Sequence, residues 1–297
     1  MFSLSSTQLF LSTCCYPVGL ANKTGVISGA VYDINCALAN TLKACGPALL
    51  TARSSTLDEI VAHIEQVINK SHPCQKDAGD SDGEQDAAAD SSEMDWLVID
   101  SALEVLAGLS AALGARFLEI WEKFQRSIMR LVSSSEDQER ATAVGIIAEV
   151  INYSGDAITP YTKPLLALLR KRMSDEALMA KSNAVYGMGQ LILNSADTAE
   201  TIPTYGSLWE TLQPFFTHDE HHLSDNAFGC VARMISRHPD EAFVQEALPK
   251  LVAYLPLKSD FDENAPVYTT ILELCKCLNV SQISSTGSST VYLHLDR

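Results

Sequence analysis

Residues 140–151 read RATAVGIIAEVI, residues 181–192 read KSNAVYGMGQLI and residues 224–235 read SDNAFGCVARMI. Set one beneath another, they carry alanine at one shared place (Ala143, Ala184, Ala227). Large apolar residues recur beside it, from Val144, Val185 and Phe228 to Ile151, Ile192 and Ile235. The offsets are 41 and 43 residues. A step of 41 back reaches IDSALEVLAGLS (99–110), with Ala102, Leu103, Leu106 and Leu109 in register. A step of 43 forward reaches VYTTILELCKCL (267–278), with Ile271, Leu274 and Leu278 in register. Within each copy the apolar residues fall three and four apart, the spacing of a helix buried along one face. Recurrence at this period marks a repeat architecture.

A second amphipathic segment lies between the copies, at 115–132, 161–173, 205–216 and 240–255. The first shows the pattern fully: Phe117, Ile120, Trp121, Phe124, Ile128 and Leu131. Pro160, Pro203 and Pro239 stand near the predicted helix starts, and Asp240 is placed to accept hydrogen bonds from the first amides of its helix. Strand signals are nearly absent. Each unit is therefore an A helix, a turn and a B helix. The expected fold is all-α, an α-α superhelix: a helical solenoid of the HEAT or armadillo kind. Two helices per period favour HEAT over the three-helix armadillo unit. Residues 26–45 and 57–69 extend the pattern upstream.

Four segments follow. Residues 1–76 hold N-terminal helices and partial repeats, and residues 96–280 hold the tandem repeats. Between them, 77–95 (DAGDSDGEQDAAADSSEMD) has eight carboxylates and no cation and reads as a disordered acidic loop. Residues 281–297 read as a ragged tail that is neither repeat nor cap.

The chain of 297 residues is 46% hydrophobic and 20% charged, enough apolar material for a core. Lysine and arginine number 21 against 37 acidic residues, a formal charge of −16. Binding to a nucleic-acid backbone needs clustered cations, so direct nucleic-acid binding is not expected and a basic partner is. No window of 18 residues is continuously apolar, so no membrane insertion is expected. The first 22 residues carry no charge and lack the basic region of a secretory signal. Eight cysteines show no C-x-x-C spacing and read as reduced, small apolar side chains of a cytosolic or nuclear protein.

On a helical wheel the B helices turn a second, polar arc away from the apolar one: Ser101, Glu104 and Gly108, then Thr142, Gly145 and Glu149, then Asn183, Tyr186 and Gln190, then Asn226, Gly229 and Arg233. Stacked repeats align Ser101, Thr142, Asn183, Asn226 and Thr269 into a polar ladder. That ladder is expected to face solvent and suit an extended peptide, with glycines leaving room for its approach. Glu104 and Glu149, with Asp219 and Glu220 at a repeat turn, are placed to pair with lysine or arginine. The run His218–His222 lacks the H-E-x-x-H spacing, and no P-loop, G-x-S-x-G or dinucleotide fingerprint occurs. No enzyme, cofactor or metal is expected.

The stretches 139–151, 181–192 and 224–268 resemble the C-terminal HEAT repeats of the β-karyopherins, the importin-β family. The resemblance is specific over about 95–278 and looser over 26–70. It implies a nuclear import receptor that shuttles between cytoplasm and nucleus and carries basic cargo such as histones and ribosomal proteins. It implies FG nucleoporins as partners of the outer helices, and Ran-GTP as a partner mainly of N-terminal repeats. Cargo segments would lie on the inner, B-helix face, where Glu104, Glu149, Asn183, Tyr186 and Asn226 stand, with Asp219 and Glu220 at a repeat turn. The alternative is a non-transport HEAT scaffold or regulatory subunit that binds folded proteins by its helix ends.

Overall fold

The structure, a computed structural model, describes residues 23–52, 55–75 and 85–284, with side chains over 29–51, 55–75 and 96–276. Twelve helices occur among the described residues, and no strand. They are α1 (Lys23–Ala52), α2 (Thr56–Ile68), α3 (Gln85–Leu113), α4 (Leu118–Val132), α5 (Asp137–Ser154) and α6 (Thr162–Arg172). Then come α7 (Leu178–Asn194), the single turn α8 (Thr198–Thr201), α9 (Tyr205–Leu212), α10 (His221–Arg237), α11 (Glu241–Tyr254) and α12 (Asn264–Ser284). The A helices are α2, α4, α6, α9 and α11; the B helices are α3, α5, α7, α10 and α12. Successive B helices pack directly on one another, α3 on α5, α5 on α7, α7 on α10 and α10 on α12, with α1 against α3. This is the expected helical solenoid.

The A helices are amphipathic. On α4 Trp121, Phe124, Ile128 and Leu131 are buried, while Glu122, Lys123 and Arg126 are exposed. Asp240 caps α11 as its position predicts, accepting from the Phe243 amide at 2.9 Å. Helix α3 begins at Gln85, inside the stretch 77–95 expected to be a loop, and residues 77–84 lie outside the described ones. Similarly α12 continues to Ser284, past the expected start of the tail at 281, and residues 285–297 lie outside the described ones. The segment Trp96–Val132 has the length and composition of a membrane span, but 72% of its most apolar window is buried inside the stack.

The B helices differ from the A helices in being enclosed. Each of α5, α7 and α10 is flanked by its own A helix and by the B helices before and after it, α3 has α1 in place of a preceding B helix, and residues 143–151 of α5 are all buried. A polar side chain on such a helix must find its partner inside the protein, because a buried donor or acceptor left unpaired costs about 1–3 kcal/mol. The polar ladder supplies those partners. Asn35 on α1 donates to Ser101 Oγ at 3.0 Å, and Thr142 donates to Asp100 Oδ1 at 2.8 Å. Asn183 donates to the Ala141 carbonyl at 2.9 Å, and Asn226 to Ser182 Oγ at 3.0 Å. In α12 the rung is Thr270, on the Ala232 carbonyl at 3.2 Å, while Thr269 is exposed.

While Thr269 does face solvent, the expectation of a solvent-facing ladder is thereby corrected for Ser101, Thr142, Asn183 and Asn226. These side chains join one repeat to the next, and Ser101 and Asn226 are fully buried. The arc glycines serve the same contact. A Cβ on Gly108 would lie 2.9 Å from the Ala39 carbonyl oxygen, and one on Gly229 would overlap the Glu263 carboxylate. The room they leave is taken by the neighbouring helix or turn, not by a peptide.

Two aspartates pin the turns. Asp175 accepts from Arg140 on the preceding B helix at 3.0 Å, from Arg172 at 2.6 Å and from the Ala177 amide at 3.0 Å. Burial works against its charge, but the bond from Arg140 and those from Ala177 and Arg172 hold the carboxyl down at about 2. Asp225, fully buried on α10, gathers the turn before α12. It accepts from the amides of Lys258 at 3.1 Å, Ser259 at 2.6 Å and Asp260 at 2.7 Å, and from the Tyr254 hydroxyl at 2.8 Å. Asp225→Ala is expected to lower unfolding free energy by about 3 kcal/mol or more, because it orphans several buried donors at once. Glu241→Ala, at an exposed position, is expected to change it by less than about 0.5 kcal/mol. Urea denaturation followed by circular dichroism measures both, and equal effects would remove the anchoring role.

Candidate functional site

The face built by the B helices carries a row of acidic side chains. Asp100 and Glu104 stand on α3 and Glu149 on α5, and Asp262 and Glu263 occupy the turn before α12. Glu104, 8% exposed, is bridged by Lys43 of α1 at 3.1 Å. Burial pushes the Asp100 carboxyl up to about 6; the Thr142 hydroxyl opposes that and Glu104 adds to it.

Three B helices converge with that turn on one cleft of about 250 Å³, lined by Glu149, Asn152, Tyr153, Tyr186, Gln190, Arg233, Asp262 and Glu263. Its volume is below the ~300–1,000 Å³ of small-molecule sites, so it fits one long side chain rather than a cofactor. Arg233 holds Glu263 through two bonds, Nη1 to Oε2 at 2.6 Å and Nη2 to Oε1 at 3.0 Å. Its guanidinium also lies 5.5 Å from the centre of the Tyr186 ring. The Arg233 Nε–H is buried with no hydrogen-bond partner. Burial, reinforced by Glu149 and Glu263, pushes the Tyr186 phenol well up; burial, then Glu149, Asp262 and Glu104, pushes Tyr153 up to about 12. Both phenols are thus neutral at physiological pH. Three carboxylates against one guanidinium leave the cleft acidic, with hydroxyl and amide groups between the charges.

The residues singled out in the sequence divide among several places. Glu149 and Tyr186 meet in the cleft, together with Gln190, the third member of the Tyr186 triplet, and Arg233, the third member of the next. Glu104 lies one repeat away in the acidic row. Asn183, half-buried, and Asn226, 1% exposed, hold the repeats together. Asp219 and Glu220 are exposed in the turn before α10, where Glu220 caps the helix through the His222 amide at 3.4 Å, and neither lines the cleft. Sequence reasoning missed Asn152, Tyr153, Asp262 and Glu263. The first two follow Glu149 by three and four residues and were within reach of a helical wheel. The other two come from a turn that only the stacking brings to α5 and α7.

One further arrangement has the order of a hydroxyl–imidazole–carboxylate chain. Ser182 Oγ lies 3.0 Å from His222 Nδ1, and His222 Nε2 lies 3.4 Å from Asp260 Oδ2. All three are buried, at 1%, 9% and 2% exposure, and Ser182 also accepts from Asn226. The line joins α7, α10 and the following turn and opens on neither cleft. Among the described residues no group of three or more histidine, cysteine or acidic side chains is arranged to hold a metal.

The A-helix side carries a different cleft, of about 160 Å³, between α4 and α6. Trp121, Met129, Tyr161, Leu165 and Leu168 line it over a floor of Ile147, Val150 and Ile151.

A stack of two-helix repeats whose B helices line an acidic face is the architecture of a HEAT-repeat binding protein, and comparison with known proteins is specific about its kind. No family model matches the chain. It is 34% identical over 231 residues to the probable importin subunit beta-4 of Schizosaccharomyces pombe, covering 75% of this chain and 22% of that protein. It is 28% identical over 234 residues to human Importin-4, covering 76% of this chain and 21% of that protein. The fold matches the crystal structure of the karyopherin Kap121p bound to the SUMO protease Ulp1p, with a TM-score of 0.62 and 15% identity over 91% of this chain and 24% of that one. The chain belongs to the importin-β family, and it spans about a fifth of the length of these curated relatives.

Asp100 provides a test of the acidic row. Its folded-state carboxyl titrates near 6 against an ordinary 3.8, so the folded state binds the extra proton between those values. Stability falls as pH rises through that window, and the ionised carboxylate opposes folding above it. Asp100→Asn keeps an acceptor for Thr142. It is expected to raise unfolding free energy by roughly 2–3 kcal/mol at pH 7.5 and to leave it nearly unchanged at pH 4. Denaturation curves at the two pH values check this; equal effects at both would show that Asp100 does not titrate in the window.

Proposed function

We propose that the chain forms part of a nuclear transport receptor and holds basic segments of cargo along its B-helix face, with the Glu149–Asp262 cleft as the principal contact. One observation carries the reading: three B helices and a turn place Glu149, Asp262 and Glu263 against a single guanidinium in a cleft sized for one side chain. A lysine or arginine entering it meets the carboxylates of Glu149 and Asp262. Tyr153 and Tyr186 flank its aliphatic stem, while Asn152 and Gln190 address the adjoining peptide group. Glu104 and Asp100 extend the track toward α3, and Asp219 and Glu220 add exposed charge at a repeat turn. Asn183 and Asn226 serve this face by fixing the repeats that carry it. Family membership supports the transport role, passage between cytoplasm and nucleus, and nucleoporins as partners. Histones and ribosomal proteins are the cargo classes proposed, and Ran-GTP regulation is proposed for the whole receptor.

Partly solvated ion pairs contribute only about 0–1 kcal/mol each, so affinity has to come from several contacts acting together. Screening over about 8 Å at physiological ionic strength then makes binding steeply salt-dependent. A lysine-rich histone-tail peptide, titrated by fluorescence anisotropy, is expected to bind with micromolar or tighter affinity at low salt and to lose at least tenfold at 0.3 M. An acidic control peptide is expected not to bind. Glu149→Lys with Asp262→Lys should weaken the basic peptide at least tenfold while circular dichroism remains unchanged. Salt-independent binding, or binding indifferent to the double substitution, would sink the cleft as the cargo site. No binding by a folded chain would favour the scaffold alternative.

A further inference from the structure

The acidic cleft takes Asp262 and Glu263 from the turn before α12, and that turn is held from α10. Glu263 is fixed by its two bonds from Arg233. Asp262 stands one residue earlier, and its backbone depends on Asp260. The Asp260 side chain caps the short turn Phe261–Glu263, its Oδ1 accepting from the Asp262 amide at 3.3 Å. The Asp260 carbonyl accepts from the Glu263 amide, also at 3.3 Å. Asp260 is 2% exposed, so its carboxylate has to be held by groups inside the protein. Its second oxygen, Oδ2, lies 3.4 Å from Nε2 of His222, in the first turn of α10.

The contacts of His222 decide which ring nitrogen carries the proton. Burial lowers its imidazole below the ordinary range; Glu220 in the preceding turn, Asp225 on α10 and Glu263 oppose that without reversing it. The ring is therefore neutral at physiological pH and has one N–H to place. Nδ1 lies 3.2 Å from Asn226 Nδ2 and 3.0 Å from Ser182 Oγ. An amide nitrogen can only donate, and Asn226 Nδ2 also donates to Ser182 Oγ at 3.0 Å. Nδ1 is thus the acceptor. The proton sits on Nε2, which presents it to the Asp260 carboxylate.

One ring therefore has two arms. Its Nδ1 arm reaches α7 through Ser182, and its Nε2 arm reaches the turn through Asp260. We propose that His222 is a positioning residue of the acidic cleft: it ties the stacking of α10 on α7 to Asp260, and through Asp260 it holds Asp262 where an entering basic side chain meets it. The consequence for binding rests on the cargo reading of the cleft, whereas the hold on the turn does not. The serine–histidine–aspartate order is then a brace rather than a nucleophile and its base. Ser182, 1% exposed, lines neither cleft, so its hydroxyl has no substrate to attack. The brace also gives the Asn226 rung a second duty, since the amide that joins two repeats orients the ring that orders the cleft.

Two substitutions in the full chain separate the arms. His222→Asn puts an acceptor where Nδ1 stands but does not reach Asp260, and His222→Gln puts an N–H where Nε2 stands but gives up the inner acceptor. Both are expected to lose some stability to urea. Amide hydrogen exchange at Asp262 and Glu263, followed by NMR, is expected to speed up about tenfold in the asparagine variant and to stay near the unaltered rate in the glutamine variant. Affinity for the lysine-rich histone-tail peptide at low salt should follow the same split, falling about threefold with asparagine and holding with glutamine. Equal exchange in the two variants, or unchanged exchange with asparagine, would overturn the proposal, because a merely structural histidine answers to stability alone. If the exchange split appears while the unaltered chain binds no basic peptide, the hold on Asp262 stands and the cargo reading falls. A measurement on the unaltered chain needs no variant to fold: long-range proton–nitrogen NMR spectra are expected to show His222 as the Nε2–H tautomer. An Nδ1–H tautomer would leave no donor toward Asp260 and would also overturn the proposal.

Discussion

Enclosure of the B helices is the constraint on which the structure depends. A helix packed against its own A helix and against B helices before and after it has almost no surface left for water. Apolar positions satisfy this directly, as Ala143, Val144 and Ile147 do on α5. Polar positions satisfy it only by pairing across the repeat boundary, and the bonds from Thr142, Asn183 and Asn226 to the preceding B helix are the result. Each such bond adds only about 0.5–1.5 kcal/mol, but its absence would leave a buried group unpaired at greater cost. The ladder therefore fixes register more than it adds stability. A repeat slipped along its neighbour would orphan every rung.

That constraint also explains what could be read from the amino-acid order. The alanines at 143, 184 and 227 and the apolar residues around them mark the repeat because each occupies the same buried place in successive units. A period of 41–43 residues with two amphipathic segments per period leads to the two-helix solenoid without further information. The wheel also found the arc that faces other parts of the protein. It could not tell whether that arc faced solvent or the next repeat, because a wheel describes one helix and the answer lies between helices. Hence Asn226 and Gly229 looked like peptide contacts. Asn226 holds α10 to Ser182, and Gly229 makes room for Glu263. The helix starts at Gln85 for a related reason: composition marked 77–95 as acidic, and charge alone does not prevent a segment from continuing the helix that follows it.

The acidic cleft shows the limit of local reading in another way. Glu149, Gln190 and Arg233 occupy corresponding positions on successive B helices, with Tyr186 one turn before Gln190, and that correspondence is visible in the sequence. Asp262 and Glu263 sit in DFDEN, a turn with nothing in its composition to connect it to residue 149. Asp225 makes the connection. By accepting from three consecutive amides it folds the turn back beneath α10 and presents the two carboxylates toward α5 and α7. A residue with no place in the cleft thus decides half of the cleft's charge.

The two sides of the stack differ in kind as a consequence. Carboxylates on the B helices are partly desolvated, and their phenol and guanidinium neighbours are held by the same contacts that stack the repeats. Most charges on α4 and α6 are exposed, and the apolar cleft between these helices lies where two repeats meet on the outer side. A charge in the first setting acts through position and is costly to move. A charge in the second acts through its field, reaches only as far as salt permits and is cheap to change. The B-helix cleft spans three repeats, so its geometry is bound to how those repeats are stacked, and a ligand that fits it must also favour that stacking. The A-helix cleft spans two and places no such demand on the stack.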